Sequence, residues 1–396
     1  MPKTLRTTII GGSNTVMEPG YLGQMLAATE RQGLRLDIVE NMAVGGTTSA
    51  YGLFRLKASD ALDRSDLLII EYALNDAFIY GDERRQFRHW ARIYEGILRY
   101  ALTRNPNLRI CTLVFGARNG SWLGSVPSID AGIHYLSEWY GTSCIDISRD
   151  LMRRFGRQVV TDPTFYSDQG HYSRPVATAM VADLAAEALV RFSQGDAWRE
   201  GASVALPPAV DPDHFAEAGI IDVPTIFRAA QDAPLVEFHN RRFALTAIDI
   251  ARHQLTLRLG GGKLLGVFHV STPQTAALAL TRGDAGYHCS LLKGGVRDGK
   301  FKFLAAMMPC EFLYGAELLQ DVPAETFTFG RAGIDPSLKR HVAKDNVAQE
   351  SAVPETAALP LMGLLYSGQC LSFAAAPRAG TAALAELPRR AAANSA

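Results

Sequence analysis

The stretch T-T-I-I-G-G-S-N-T at residues 7–15 opens the pattern that decides the fold. Its first four residues are all β-branched, which is typical of a strand, and Gly11 and Gly12 allow a tight turn directly after them. Similar apolar runs recur through the first half of the chain and alternate with segments of helical spacing. This alternation predicts a parallel sheet covered by helices on both faces. The expected strands are Thr7–Ile10, Leu36–Val39, Leu67–Glu71, Ile110–Phe115 and Cys144–Ile147, and the expected helices are Tyr21–Arg31, Ser49–Leu62, Arg84–Arg104, Ile129–Tyr140 and Arg174–Phe192.

The second half has a different texture. Residues 196–212 contain several Gly and Pro residues with little periodicity, which predicts a linker. Short strand-like runs at close spacing follow and predict a β-sandwich-like domain, with Gly260-Gly261-Gly262 as a hairpin turn. The predicted organisation is an α/β domain over 1–195, a linker over 196–212, a β-rich accessory domain over 213–373 and a flexible Ala- and Arg-rich tail over 374–396.

Composition excludes several classes of function. The 396 residues carry 40 Lys+Arg against 40 Asp+Glu, which argues against a broad basic surface for nucleic acid. No apolar stretch approaches the roughly 20 residues of a membrane-spanning helix. The sequence has no P-loop, no dinucleotide-binding fingerprint and no tight metal-ligand spacing, so neither a cofactor nor a metal is indicated.

Cysteine usage and the N-terminal sequence bear on the compartment. The five cysteines are scattered without a C-x-x-C pair, as expected for thiols in a reducing environment. The first residues run straight into a strand-like segment without the basic and apolar regions of a signal peptide. The expectation is a cytoplasmic protein.

The first candidate for chemistry is Ser13, in the turn after the first predicted strand. Ligands of an open parallel sheet bind at the carboxyl ends of its strands, and this turn lies at such an end. Three interpretations remain open here: Ser13 is a nucleophile, it caps the next helix, or the Gly-Gly-Ser turn binds a phosphate.

The second candidate is Asp168-Gln169-Gly170-His171, which precedes the last long helix of the first half. A serine hydroxyl needs an imidazole to take its proton, and the imidazole needs a carboxylate to fix its tautomer. The same spacing occurs in Asp211-Pro212-Asp213-His214. We discount that copy because it lies in the predicted linker, where no strand end would place it beside Ser13.

Two further turns follow the second and third predicted strands. Gly46 lies in a turn of small residues, and Asn75 lies just past the end of Leu67–Glu71. Acyl transfer develops negative charge on a carbonyl oxygen, which preorganised N–H donors stabilise. The backbone N–H groups of Ser13 and Gly46 and the amide of Asn75 would supply three such donors. Taken singly, each segment is also compatible with an ordinary βα turn.

Ser, Gly, Asn and Asp-x-x-His in this order resemble the four sequence blocks of the SGNH (GDSL-type) serine hydrolase family, over residues 1–195. The resemblance implies a flavodoxin-like three-layer α/β/α fold. Two positions depart from the family pattern: Gly12 replaces the Asp of the name-giving motif, and Ala73 stands where relatives usually have Gly.

The resemblance also implies a role for each matching residue. Ser13 would be the nucleophile, His171 the general base and acid, and Asp168 the group that orients His171. The oxyanion hole would consist of the Ser13 and Gly46 N–H groups and the Asn75 amide.

Three residues after the fourth predicted strand are candidate substrate contacts: Arg118, Asn119 and Trp122. Trp stacks on apolar faces and Arg binds carboxylates. The alternative is that this segment is a solvated Gly-rich loop.

The expected function is a serine-dependent esterase that removes an acyl group, foremost acetyl, from a carbohydrate through an acyl-enzyme at Ser13. One alternative is an O-acyltransferase of polysaccharide biosynthesis with the same residues, and another is a non-catalytic glycan-binding or assembly protein. The expected partner is a small-molecule or glycan ester. The β-rich half could bind glycan, cover the site or join two copies into a homo-oligomer, and the sequence does not rank these.

Overall fold

The structure is a computed structural model of the chain. It describes residues 3–82, 86–118, 120, 123, 127–194, 205–240, 243–333, 335–343, 345–349 and 356–378.

The first half contains a five-stranded sheet in which every pairing is parallel. Its strand order is 2-1-3-4-5, which is the flavodoxin-like order. Buried apolar runs in the interior of the sheet, as expected when helices cover both faces, and partly exposed runs at its two edges make up the five strands. They are β1 (Lys3–Gly11), β2 (Leu34–Asn41), β3 (Leu67–Glu71), β4 (Arg109–Val114) and β5 (Ser143–Asp146).

Helices pack on both faces of this sheet. One apolar cluster joins the sheet to Met25, Leu151 and Val181, and a second joins it to Leu53 and Trp90 on the other face. The three-layer α/β/α prediction is therefore confirmed. The helices are α1 (Ser13–Val16), α2 (Tyr21–Arg31), α3 (Ser49–Lys57), α4 (Ala73–Asp82), α5 (Phe87–Arg104), α6 (Ser128–Trp139), α7 (Ile147–Phe155), α8 (Arg157–Thr161) and α9 (Val176–Gln194).

The second half forms two six-stranded sheets with an apolar cluster between them. Leu257 and Phe327 of one sheet and Val267 of the other are fully buried in this cluster, so the β-sandwich-like prediction is confirmed. The strands are β6 (Gly219–Asp222), β7 (Leu235–His239), β8 (Ala244–Asp249), β9 (His253–Gly260), β10 (Leu264–Ser271), β11 (Leu278–Arg282), β12 (Ala285–Cys289), β13 (Leu304–Pro309), β14 (Glu325–Arg331), β15 (Lys339–His341), β16 (Pro360–Tyr366) and β17 (Gln369–Pro377), with helices α10 (Val223–Ala229) and α11 (Gly294–Arg297).

Within the sandwich, β13-β10-β16-β8-β7 form one sheet, with β6 beside β16. The other sheet has the order β15-β12-β11-β14-β9-β17. The glycine-rich turn at 260–262 therefore joins two sheets, and the predicted hairpin is wrong. Gly262 passes so close to the neighbouring chain that a Cβ there would lie 1.8 Å from the Ser367 carbonyl oxygen. Glycine is needed for this crossing rather than for a hairpin.

The C-terminal boundary also differs from the expectation. Strand β17 continues to Pro377 and pairs with β9, so residues 374–377 belong to the sandwich rather than to a flexible tail. Backbone hydrogen bonds to β9 hold this Ala-rich segment extended despite the low strand propensity of alanine. Residues 379–396 lie outside the described part of the chain.

The two halves pack together through α3. The Phe54 and Phe268 rings lie 4.3 Å apart between centroids, and Tyr51 and Phe268 lie 5.4 Å apart. The Thr48 hydroxyl, just before α3, contacts the Met307 sulfur of β13 at 3.9 Å. The sandwich therefore lies against the segment that follows Gly46. Among the described residues, no helix has the length and apolarity needed to cross a membrane.

Candidate active site

Ser13 begins α1, directly after Gly12, which has an extended backbone (φ −98°, ψ −151°). A Cβ on Gly12 would lie 2.3 Å from Oδ1 of Asn75. Any side chain at this position would therefore displace Asn75. The departure from the Asp of the name-giving motif thus matches the space that this chain leaves beside its asparagine.

A continuous line of hydrogen bonds runs from Ser13 to Asp168. The Ser13 Oγ lies 2.7 Å from Nε2 of His171, and Nδ1 of His171 lies 2.8 Å from both carboxylate oxygens of Asp168. The structure therefore brings Ser13 together with two residues that follow it by more than 150 positions in the chain.

Local bonds hold Asp168 in the ionised form. Its Oδ1 accepts from the backbone N–H groups of Gly170, at 2.9 Å, and His171, at 3.0 Å. Burial opposes ionisation, but these bonds and the contact with the His171 ring outweigh it, so the pKa of Asp168 lies below its ordinary value. An ionised carboxylate on Nδ1 leaves Nε2 available to accept a proton from Ser13.

The loop that carries His171 is tied to the Ser13 turn and to the loop after β4. Asn14 donates from Nδ2 to the Gly170 carbonyl at 2.9 Å, and the Arg118 N–H donates to the Gln169 carbonyl at 3.0 Å. The N–H of Gly116 donates to the Tyr172 hydroxyl at 3.2 Å. These contacts fix the imidazole relative to Ser13.

The segments with Gly46 and Asn75 meet beside Ser13. A Cβ on Gly45 would lie 3.4 Å from the Ser13 Cβ, and Gly46 has a positive φ of 75°, a conformation that glycine adopts without strain. Asn75 donates from Nδ2 to the Thr47 carbonyl at 2.9 Å, which leaves its second amide hydrogen available.

Two buried carboxyl groups on either side of Asn75 were not singled out from the sequence. Asp76 accepts from the Ser49 N–H at 2.9 Å and from the Trp90 indole at 2.8 Å, and so fixes the start of α3. Glu71, the last residue of β3, contacts the Ser13 turn. An acidic residue closing the apolar run L-L-I-I-E was the available signal, because a buried carboxyl group needs partners.

The structure also departs from the expected turn after β3. Helix α4 begins at Ala73, so Asn75 lies in its first turn rather than in an irregular loop. The methyl group of Ala73 favours this early start, since alanine has the highest helix propensity. Among the predicted substrate contacts, Arg118 is half-buried, whereas Asn119 and Trp122 lie outside the described residues.

A hydroxyl bonded to an imidazole, with a carboxylate on the far side of the ring, can lose its proton as it attacks a carbonyl carbon. The segments with Gly46 and Asn75, which carry further N–H donors, lie beside the Ser13 turn. Such an arrangement is suited to acyl transfer.

Comparison with known proteins finds one family whose model matches the first half of the chain. Residues 9–174 match the GDSL-like Lipase/Acylhydrolase family. No curated protein matches the chain at a significant level.

Solved structures match over the whole chain or over its first half. A two-domain esterase active on acetylated mannans is 14% identical, with 93% of each chain covered and a TM-score of 0.59. The same esterase co-crystallised with mannopentaose has a TM-score of 0.58 at 14% identity, over 96% of this chain and 92% of that one. A Clostridium thermocellum family 3 carbohydrate esterase matches 49% of this chain and 100% of its own, at 14% identity and a TM-score of 0.38.

The first two of these similarities extend through both halves and so concern the overall architecture, the β-sandwich included. The family match covers the segments with Ser13, Gly46, Asn75, Asp168 and His171. Over residues 9–174, therefore, this chain matches the GDSL-like Lipase/Acylhydrolase family, and the match includes every residue of the hydrogen-bonded line from Ser13 to Asp168.

Proposed function

We propose that the protein is an esterase that removes O-acyl groups, with acetyl as the main one, from a carbohydrate. The observation that carries this proposal is the line of hydrogen bonds from Ser13 through His171 to Asp168, with 2.7 Å between Ser13 Oγ and His171 Nε2. The carbohydrate part is motivated by the similarity, over both halves, to the two-domain esterase active on acetylated mannans.

In the proposed first step, Ser13 Oγ attacks the ester carbonyl carbon while His171 Nε2 takes the hydroxyl proton. The negative charge that forms on the carbonyl oxygen is stabilised by the N–H groups of Ser13 and Gly46 and by the amide of Asn75. The C–O bond to the sugar then breaks, and His171 gives its proton to the departing sugar oxygen.

In the second step, water attacks the acyl group on Ser13. His171 takes a proton from the water, and collapse of the tetrahedral intermediate breaks the bond to Ser13 Oγ, which recovers a proton from His171. The products are the free carboxylic acid and the regenerated serine. Asp168 stays ionised throughout and stabilises the imidazolium in both steps.

The surroundings of His171 favour a short acyl group. A Cβ on Gly170 would lie 3.1 Å from the Phe78 ring and 3.5 Å from a Leu74 methyl group. The first turns of α4 thus occupy the space next to the loop that carries His171, which leaves less room there for a long acyl chain.

The test is release of acetate from an acetylated polysaccharide by the full chain and by S13A. We expect S13A to lose at least about 10³-fold in kcat while it folds normally. The matched control is S337A, whose hydroxyl bonds to Asp335 in the β-rich half and whose activity should equal the wild type. Equal rates for wild type and S13A would contradict the proposal.

An acyltransferase would use the same residues with a sugar hydroxyl in place of water. Adding a free oligosaccharide and analysing it by mass spectrometry separates the two reactions, because only transfer yields an acylated acceptor. A series of p-nitrophenyl esters from acetate to octanoate tests acyl length, and a preference for octanoate would contradict the short-acyl proposal.

A further inference from the structure

Glu71 is a fully buried carboxyl group directly next to the Ser13 turn, and the proposed mechanism assigns it no task. It ends β3, opposite Gly11 of β1 in the parallel register. Its side chain passes beside Gly11, where an added Cβ would lie 3.2 Å from the Glu71 Cβ. The carboxyl group therefore reaches the turn from the strand that also leads to Asn75.

One oxygen of this carboxyl group binds both ends of the turn. Oε2 accepts from the Thr15 hydroxyl at 2.8 Å and from the Gly12 N–H at 3.3 Å, and this N–H also donates to the Glu71 backbone carbonyl at 2.9 Å. Gly12 is the residue before α1, and no side-chain hydrogen bond from Gly12 caps this helix. Glu71 thus supplies from a neighbouring strand the acceptor that a capping side chain would ordinarily provide.

The other oxygen, Oε1, is buried and has no hydrogen-bond partner among the described residues. A buried carboxylate with one unpaired oxygen is unfavourable, whereas the protonated acid avoids the cost of burying a charge. Burial is the main cause that raises the pKa of Glu71 to about 8, against the lowering effect of the bonds from Thr15 and Gly12.

We propose that Glu71 is a positioning residue that holds the Ser13 turn as an uncharged acid, so that its own side chain places no negative charge beneath the oxyanion hole. This inference rests on the proposed function of Ser13. A carboxylate at this fully buried position would repel the charge that develops on the carbonyl oxygen, because little water would screen the buried charge. The neutral acid keeps both bonds to the turn without that repulsion.

The groups around Glu71 include others that titrate. Asp76 on α4 raises the pKa of Glu71. Glu71 in turn raises the pKa of Tyr21 on α2 and of Tyr172, which follows His171 in the chain. Cys111 on β4 lies close to Tyr21. Burial raises the pKa of each of these tyrosines and of the thiol, to about 12 for Cys111. The pKa of Glu71 lies well below that of the Cys111 thiol, so Glu71 is expected to lose its proton first as the pH rises past 8.

The experiment measures kcat and KM on p-nitrophenyl acetate from pH 6 to 10 for wild type, E71A and E71Q. In the wild type, kcat/KM should fall by about tenfold as the pH rises above 8 and Glu71 ionises. E71A should lose about 10- to 100-fold in kcat at pH 7 with little change in KM, because the Thr15 hydroxyl loses its carboxyl acceptor and the Gly12 N–H keeps only its backbone bond. E71Q keeps a neutral acceptor, so it should recover most of this loss and lack the alkaline fall.

The matched control is D130N. Asp130 is another buried carboxyl group whose pKa burial raises, here to about 7, and its charged neighbours are Asp146, His134 and Arg149. D130N should keep the alkaline fall of the wild type. If E71Q also keeps it, or if folded E71A matches the wild type in kcat, the inference is wrong.

S13A separates this inference from the proposed function. If wild type and S13A hydrolyse the ester equally, the proposed function fails. If hydrolysis depends on Ser13 but the Glu71 variants behave as the wild type, only the inference fails. Should E71A not fold, the pH profile of E71Q decides the question.

Discussion

The sequence Asp-x-x-His occurs in two regions of this molecule, and the structure gives them different tasks. In the loop at 168–171, the carboxylate binds Nδ1 of its own histidine, and Nε2 reaches Ser13. In the segment at 211–214, Asp211 accepts from Arg88 at 2.7 Å and from Arg92 at 3.1 Å. Its histidine, His214, accepts through Nδ1 from the Ala216 N–H at 3.2 Å.

The difference comes from what lies opposite each segment. The first loop lies at the carboxyl end of the parallel sheet, against the Ser13 turn. The second lies along α5, whose arginines capture the aspartate; the Arg92 side chain is only 4% exposed and needs that partner. Asp211 thus anchors the segment between the two halves, which was expected to be a linker. The Asp-x-x-His spacing alone therefore does not define a site, and its position beside a strand end does.

The largest expected effect separates the two histidines. H171A should lose at least about 10³-fold in kcat, because Ser13 would lose its proton acceptor. H214A should keep the wild-type rate, since the bond described for His214 is the one from the Ala216 N–H in its own turn. Ester hydrolysis by the two purified variants measures this, and comparable losses in both would break the comparison.

The next effect separates the two aspartates. D168N should lower kcat by about 10²-fold or more with little change in stability, because an amide no longer fixes the tautomer of His171. D211N should leave kcat unchanged and lower the free energy of unfolding by about 1–3 kcal/mol, because Arg88 and Arg92 lose a charged acceptor. Kinetics and urea unfolding on both variants test this, and a stability loss in D168N larger than in D211N would contradict it.

A smaller effect concerns acid pH. Burial alone would raise the pKa of Asp211, but the bonds from Arg88 and Arg92 lower it to about 2. An unfolded aspartate titrates near 4, so this ion pair stabilises the folded chain above that pH, and the stabilisation is lost as the pH falls from about 4 to 2. Wild type should therefore lose about 1–2 kcal/mol more than D211N between pH 5 and pH 3. Parallel loss in urea unfolding would show that Asp211 is not the group responsible.

The smallest effect involves another aspartate and histidine, which bind each other in the β-rich half. Nε2 of His253 lies 2.9 Å from Asp232, whose side chain is 82% exposed, whereas Nδ1 of His253 is buried without a described partner. Among the described residues no serine bonds to His253, so D232N should leave kcat unchanged. Because the aspartate is so exposed, the loss in stability should stay below about 1 kcal/mol. Thermal unfolding measures it, and any loss of activity would contradict the comparison.

The first half was predictable because its signals are local. Buried strands of the parallel sheet are continuous apolar runs, and β3 at Leu67–Glu71 agrees with its predicted bounds. The β-rich half was less predictable because its strands pair with partners that are far away in the chain. Strand β10 is buried along its whole length between β13 and β16, and no neighbouring turn indicates either partner.

The same contrast between local sequence signals and long-range contacts holds for the site. The order Ser, Gly, Asn and Asp-x-x-His singled out Ser13, Gly46, Asn75, Asp168 and His171. Their distances, in contrast, depend on a register in which Gly11 lies opposite Glu71 and on the bond from Asn14 to Gly170.

By itself, then, the sequence determined the parallel α/β sheet, the second β-rich unit and the residue types available at the strand ends. Hydrophobic periodicity and turn chemistry act between near neighbours, so they can be recognised without a structure. Only the tertiary structure decided how closely His171 approaches Ser13, that Glu71 lies beneath the turn, and that Asp211 binds Arg88 and Arg92 of α5. Those outcomes depend on burial and on contacts between residues far apart in the chain, which no local pattern encodes.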